Sequence, residues 1–364
     1  MSKFLVGGDG FDSHATGALA TVYPWVNAAT ANSPAIASGG VFGGNKLSFP
    51  SNGAANAPML SYLFDSTTKM QTQSGSAAGM FSVSFWFVPG SIVTSANPVI
   101  AVGNSTGLYN LMGYSNAGNG VLIFPTNINN INDKPVTFNM SDANPVWVTI
   151  NLSFWGNAIM LATYTINTYR RKTDLQLAWS ADALGLSGLL DRVVMYQGSY
   201  DYGLDDLIIQ TVSSIDSSWP VASGSNPTPE NIGILPPRQI KTRGINGNGA
   251  VNTWEPSSSL PNFVAASTPG AYVETDSDVS GTDLYTVTSD TNVAGVNGII
   301  MRGKMSGSTG LLQSIQSASG TVGGIANVNT HKGTDGFVAI SETSDGTNSW
   351  TAAGINAAQF GLKG

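Results

Sequence analysis

The sequence predicts an all-β protein built from two β-sandwich (jelly-roll) domains joined by a Pro-rich linker, and three observations lead there. Asp, Glu, Lys and Arg make up only 10% of the 364 residues, against about 25% in ordinary soluble domains, and there are just four glutamates, so long solvated helices lack their usual residues. Glycine occurs 43 times among abundant Ser, Thr, Asn and Val, which is the material of short strands and tight turns. Apolar runs recur with period-2 alternation between Gly, Pro, Asn and Asp stops. With 41% apolar and 9% aromatic residues the chain can fill a core and is not a disordered tail.

In chain order, Phe81-Ser82-Val83-Ser84-Phe85-Trp86-Phe87-Val88 is the clearest half-buried strand, ending at Pro89-Gly90. Similar runs are Val99–Val102, Val121–Phe124, Val146–Phe154, Ile159–Ile166, Leu175–Trp179, Val193–Tyr196 and Leu204–Gln210. The pattern breaks over 213–237, where Pro220, Pro227, Pro229, Pro236 and Pro237 stand among serines and glycines and cannot keep a ladder going. This reads as a linker or arm between a domain over 1–212 and another over 238–364. In the latter the expected strands are Gln239–Thr242, Ala271–Glu274, Asp283–Thr288, Val296–Lys304, Thr309–Ser317, Gly320–Ala326 and Gly336–Glu342, with Ala352–Leu362 closing the chain. No fixed-period repeat is present, which sets solenoids and propellers aside.

Three segments of the first domain carry a resemblance: Lys46-Leu47-Ser48-Phe49-Pro50 with Ser51-Asn52-Gly53, the central FSVSFWFVPG, and Tyr202-Gly203-Leu204-Asp205-Asp206-Leu207-Ile208-Ile209. In this order they make residues 1–212 resemble the laminin-G/concanavalin-A-like jelly roll. In that family an FxISFWxKP-type strand packs aromatics into the core and a final (I/L)DD(I/L)xI strand closes the sheet. The resemblance also implies that an acid of this last motif bonds backbone amides near the N-terminal strand. Residues 238–364 are similar to a β-sandwich domain of bacteriophage tail proteins. That similarity rests on Ile240-Lys241-Thr242, Asn248-Gly249-Ala250, Thr253-Trp254-Glu255-Pro256-Ser257, Tyr272-Val273-Glu274-Thr275, Asp283-Leu284-Tyr285 and Ala357-Ala358-Gln359-Phe360-Gly361-Leu362. It implies a structural role in a virion and brings no catalytic motif.

Among candidate sites, Asp9 with Asp12, Asp205 with Asp206, and Asp276 with Asp278 are carboxylate pairs in Gly- or Ser-rich surroundings, an oxygen-rich setting that calcium accepts. None forms an EF-hand, since position twelve of a loop from Asp276 is Val287 instead of Glu. Asx-turns and strand-end caps are the competing explanation. In a regular strand one of Asp205 and Asp206 must face inward.

Catalysis lacks a motif. His14 and His331 are the two imidazoles, and neither GxSxG nor HExxH occurs. A depolymerase would need two carboxyl groups about 5–9.5 Å apart, which 18 aspartates and four glutamates can satisfy by chance. The expectation is therefore no enzyme. Gly7–Ser13 and Gly247-Asn248-Gly249 lack the strand–glycine–helix context and the lysine of a phosphate loop. Trp86, Trp147 and Trp155 fall in alternating strands and are expected in the core or between sheets. Trp25, Trp219, Trp254 and Trp350 fall in Pro- or Gly-rich contexts and are expected at the surface, where subunit contacts or sugar rings would use them.

A net charge of −7 with only Arg170-Arg171-Lys172 and the spread set Arg238, Lys241 and Arg243 as basic clusters disfavours nucleic acid. Zero cysteines exclude disulfides, thiolate zinc and iron–sulfur centres. No signal peptide and no membrane-spanning run is recognised, so the expected place is the virion after synthesis in a host cytoplasm. Together these features lead us to expect a phage tail, tail-tip, fibre or spike component that contacts other virion proteins. The expected homo-oligomer is a trimer or a ring, with host-surface carbohydrate as the ligand of the lectin-like domain and calcium as the cofactor to consider. The competing classes are a capsid-decoration or head-fibre protein without ligand, and an exopolysaccharide depolymerase.

Overall fold

The alternation along Phe81–Val88 has the consequence its spacing requires. In the structure, a computed structural model, the described residues are 3–19, 24–27, 34–51, 57–64, 79–90, 97–115, 121–124, 136–140, 144–155, 158–168, 173–178, 190–198, 200–212, 238–267, 271–274, 281–293, 296, 298–303, 312–316, 322–323, 331–333, 336–341 and 350–363. Phe81, Val83, Phe85 and Phe87 enter a core, whereas Ser82, Ser84 and Trp86, the intervening residues, belong to the opposite face of the same strand.

The chain divides into two units, residues 1–241 and 242–364. The strands of the first are β1 (Lys3–Asp9), β2 (Gly17–Ala18), β3 (Trp25–Asn27), β4 (Ala35–Ser38), β5 (Asn45–Phe49), β6 (Ala57–Leu63), β7 (Gly79–Pro89) and β8 (Asn97–Asn104). They continue with β9 (Gly107–Ser115), β10 (Val121–Phe124), β11 (Val136–Asn139), β12 (Val146–Trp155), β13 (Ala158–Thr168), β14 (Thr173–Ala178), β15 (Arg192–Gln197) and β16 (Tyr202–Val212). All pairings among them are antiparallel. One sheet has the order β14-β13-β12-β7-β16-β5-β4-β2 with β1 added on β16, and the other runs β11-β10-β9-β8-β15-β6-β3. Between the two lies one core that takes Phe85, Phe87 and Val148 from the first sheet and Val102, Leu111, Tyr114 and Val193 from the second.

The second unit contains β17 (Ile245–Asn252), β18 (Glu255–Pro256), β19 (Val273–Glu274), β20 (Thr282–Val287), β21 (Ile299–Gly303) and β22 (Leu312–Gln316). After these come β23 (Val322–Gly323), β24 (His331–Gly333), β25 (Gly336–Ser341) and β26 (Gln359–Lys363). The sheet β17-β20-β26-β22-β23 stands beside a smaller one, β21-β25-β24, and a two-stranded pair, β18-β19. Phe360 of β26, Trp350 and Ile355 pack with Ile299 and Met301 of β21, which closes the small core. The all-β class with antiparallel sheets is as the sequence predicts.

Several local expectations need correction. Ala352–Leu362 is not one strand: Ala352–Ala357 forms a helix, and only Gln359–Lys363 is extended. Thr351 caps that helix by accepting the Gly354 amide at 2.9 Å, and the alanines after it favour the turn. No strand forms over Gln239–Thr242, because the Ile240 amide bonds a side chain instead of a ladder partner. A helix over Asn262–Ser267, started by Val264 and Ala265 amides on the Pro261 carbonyl, and the strand β17 were both unforeseen. The Pro-rich segment 213–237, with Trp219, lies outside the described residues.

Candidate functional site

The distinctive end of the first unit is built on an irregularity in β16. Leu204, Leu207 and Ile209 all reach the core, so the step from 204 to 207 holds one residue too many for period-2 alternation. The pairing with β7 shifts register between Asp205 and Ile208, and Asp206 takes a left-handed φ of 50°. Here β16 also changes its other neighbour, from β5 at Tyr202–Leu204 to β1 at Leu207–Val212. A regular strand would have turned one aspartate inward, as the sequence pattern suggests; the bulge removes that need.

Both carboxylates are buried, and both accept backbone amides. Asp205 Oδ2 takes the Val41 amide at 2.8 Å and Oδ1 takes that of Asp206 at 3.0 Å, while Asp206 Oδ1 takes the Ile240 amide at 2.7 Å. Asp206 Oδ2 is buried without a hydrogen-bond partner. The amide partners lie in the turn after β4, in β16 itself and in the segment following 237. Burial first, then the neighbouring Asp205 charge, pushes the Asp206 carboxyl up to about 8. Burial also raises Asp205 to about 6, against the opposing pull of its two amide bonds and Lys46.

Asp9 and Asp12 are placed in the same neighbourhood, since both charges act on Asp206. Asp9 Oδ1 accepts the Phe11 amide at 2.8 Å, its Oδ2 accepts the Trp25 indole at 2.7 Å, and Nε2 of His14 lies 2.8 Å from that same oxygen. This anchoring holds Phe11 at a φ of 61°, an unusual value for a side chain of its size. Asp12 Oδ1 accepts the Asn45 amide at 2.7 Å, and Asn45 Nδ2 donates to the His14 carbonyl at 3.0 Å. The loop 9–14 and the turn 39–45 are thereby tied to each other.

This donor set does not fit calcium, which takes six to eight oxygens. Asp9 and Asp205 commit both oxygens to N–H donors, and Asp12 and Asp206 commit one each. Among the described residues no three His, Asp or Glu side chains converge on a common point for a metal ion. Asp276 and Asp278 lie outside the described residues, as does the His331 side chain.

Indole placement differs from expectation. Trp25, Trp254 and Trp350 are buried, not exposed: Trp25 sits edge-on to Tyr62 at 4.9 Å besides its bond to Asp9, and Trp350 packs against Phe360. Trp86 and Trp147 are buried as well, but apart from the main core, in a cluster with Val41 and Ile208. Their rings are 5.6 Å apart, and the Trp86 indole donates to the Arg238 carbonyl at 3.1 Å. The Trp155 side chain is not among those described.

Phe42, which sequence reasoning passed over, is 43% exposed and meets the Trp86 ring at 5.7 Å and 81°. The signal for it was an aromatic residue inside Gly39-Gly40-Val41-Phe42-Gly43-Gly44, where glycines leave one large side chain at a turn tip. Gly43 has φ 92°, its amide bonds the Gly40 carbonyl at 3.0 Å, and Gly44 has no room for a Cβ beside the Asp12 carboxylate.

No family model and no curated protein matches the chain. Solved structures overlap with it at low similarity. A carbohydrate esterase of the Shiga toxin-encoding bacteriophage phi24B has 14% identity over 51% of this chain and 89% of its own, with a TM-score of 0.33. Peanut lectin has 9% identity over 52% of this chain and 96% of its own, also at 0.33. A receptor binding domain covers 76% of this chain and 61% of its own at 11% identity and a TM-score of 0.34. At these values the overlaps carry no inference about ligand or activity.

Proposed function

We propose that the chain is a non-catalytic structural component of a bacteriophage virion, in the tail, its tip or a fibre-like appendage, whose first unit binds host-surface carbohydrate. The observation that carries the binding part is the mutual fixation of loop 9–14 and turn 39–45 by Asp9, Asp12 and Asp205. Loops pinned this way present a surface whose ordering cost has been met before a ligand arrives. The same observation disfavours catalysis, because the carboxylates with raised pKa values are buried and bonded to amides instead of opening onto a substrate. The virion part rests on the ordered tail-domain motifs of residues 238–364. Low charge and many short strands suit a module that meets other subunits, as a trimer or a ring.

Purified full chain should bind host cells or their surface polysaccharide, and antibody raised against it should block adsorption and label the tail in negative-stain images. Absence of binding together with unimpaired adsorption would remove the carbohydrate role. Release of reducing ends from the polysaccharide would replace this reading with a depolymerase.

A further inference from the structure

We propose that Asn246, in the Asn246-Gly247 pair of β17, is a site of spontaneous modification that closes to a succinimide in the folded protein and opens to aspartate and isoaspartate. The inference goes beyond the proposed function and does not depend on it, since it concerns the chemistry of one strand of the second unit.

A bulge creates the opening. β17 is an edge strand of its sheet, and its pairing with β20 shifts register between Ile245, opposite Val287, and Gly247, opposite Thr286. Asn246 is thus an extra residue, and together with Gly247 it faces the single residue Thr286, which is the arrangement of a β-bulge. Ring closure brings the Gly247 nitrogen onto Cγ of Asn246. A regular ladder resists this by holding the backbone extended and its N–H groups in hydrogen bonds, and a bulge disrupts the ladder at just this residue. The same geometry calls for glycine next: a Cβ at 247 would stand 2.7 Å from Thr286 Oγ1. The residue that fits the bulge is also the one that crowds the attacking nitrogen least.

Thr286 assists the attack. Its hydroxyl donates to Asn246 Oδ1 at 2.8 Å, which draws electron density from Cγ and stabilises the negative charge that Oδ1 gains as the nitrogen adds. Asn246 is exposed, so water reaches the product ring. In the first step the Gly247 nitrogen gives its proton to water and bonds Cγ. The Cγ–Nδ2 bond then breaks, and Nδ2 leaves as ammonia after taking a proton back from water. A further water opens the ring at Cγ to give aspartate, or at the main-chain carbonyl to give isoaspartate, with no change of oxidation state.

Asn248-Gly249 is the matched contrast in the same strand. The Asn248 Oδ1 also has a donor, the Phe263 amide at 2.8 Å, so the difference between the two pairs lies in the backbone. Asn248 stands in register opposite Tyr285. The ladder is interrupted after it as well, but there Gly249 is closed in: a Cβ at 249 would come within 2.7 Å of the Leu284 Cβ and carbonyl, and the next amide, Ala250, is held by Gln359 Oε1 at 2.6 Å. Asn52, Asn119 and Asn297 also precede glycine and lie outside the described residues.

The full chain, incubated at pH 8 folded and in urea, is digested and its Asn-Gly peptides are followed by mass spectrometry, with isoaspartate separated by chromatography. In the folded chain Asn246 should convert several times faster than Asn248, whereas in urea the two should convert alike. Equal rates in the folded chain, faster conversion of Asn248, or an Asn246 that converts in urea alone would overturn the proposal. Thr286→Val keeps the shape and removes the donor, and it should slow conversion at 246 by about tenfold, less than an oxyanion donor contributes in a water-excluded site. Thr286→Ser should keep the rate. An unchanged rate in Thr286→Val overturns the part given to the hydroxyl; should that variant fail to fold, the wild-type comparison of 246 with 248 decides the site.

Discussion

The Asp206 carboxylate accepts the Ile240 amide at 2.7 Å, joining two positions 34 residues apart. Around this bond Gly10 leaves no space for a Cβ against the Ile240 carbonyl, and the Trp86 indole holds Arg238 two residues earlier. Asp206→Ala should therefore be costly in two ways. It leaves the Ile240 amide without its acceptor, at about 1–3 kcal/mol, and places alanine in a left-handed conformation, at about 1–2 kcal/mol. Asp206→Asn keeps the acceptor and tolerates that backbone. Urea denaturation at pH 3.5, where the pH-linked difference between wild type and the asparagine variant is small, should show a clear loss for the alanine variant and a small change for the asparagine one; equal midpoints would mean that the bond contributes nothing.

The two raised carboxyl groups fix a direction for pH dependence. The folded first unit holds protons on Asp205 up to about pH 6 and on Asp206 up to about pH 8, whereas the unfolded chain releases both near pH 4. The folded state therefore binds more protons between those values. The stability linked to this pair is full below pH 4 and is lost as pH rises toward 8, at no more than about 1.4 kcal/mol per pH unit and group. Asp206→Asn should flatten the loss, so denaturation midpoints of wild type and variant should converge at low pH and separate, with the variant more stable, at pH 9. A wild-type midpoint that rises from pH 5 to 9 would contradict the burial argument.

Trp25 offers a separate measure of loop anchoring. Its indole N–H is one of the donors to the buried Asp9 carboxylate, and its ring packs on Phe11 at 5.8 Å and on Tyr62. Trp25→Phe preserves much of the packing but removes the donor from a charged, buried acceptor, a loss of about 1.5–3 kcal/mol. The loop 9–14 should become the faster-exchanging part of the first unit in hydrogen exchange. Unchanged protection there would show that His14 and the Phe11 amide suffice to hold Asp9.

How far the sequence foretold this arrangement depends on range. Period-2 alternation is local, so Phe81–Val88 could be read as a strand with its inward face correctly assigned. The Asp205–Asp206 bulge is not local: it exists because β5 and β1 divide the far edge of β16 between them. Asp9, Asp12, Asp205 and Asp206 were recognisable as a set of acids, but most of their partners are backbone amides, at positions 11, 41, 45, 206 and 240, and backbone amides leave no mark in a sequence. Trp25 and Trp350 were misplaced for a related reason. Glycine and proline neighbours suggested loops, and loops suggested exposure, whereas Trp25 begins the paired strand β3 and Trp350 stands just before the helix over Ala352–Ala357, and both rings pack into cores. Phe42 was overlooked because its run of glycines looked like turn material alone.

Two glycines, one in a strand and one in a turn, should both lose stability on substitution by alanine, for reasons that can be separated. At Gly361 of β26 a Cβ would come within 1.7 Å of the Asp283 carbonyl, which belongs to the paired strand β20 and cannot rotate aside. The neighbouring Asp283 side chain is fully buried and takes donors from Asn252, Asn262 and Tyr285, so a shift of β20 would disturb that network as well. Gly361→Ala should destabilise the second unit by about 1–3 kcal/mol or more. At Gly43 the φ of 92° is the obstacle and no atom stands in the way, so Gly43→Ala should cost about 1 kcal/mol through the backbone, in the first unit alone. Calorimetry of the full chain resolves the difference through which transition moves. A loss confined to the first unit's transition on Gly361→Ala would refute the strand-contact explanation.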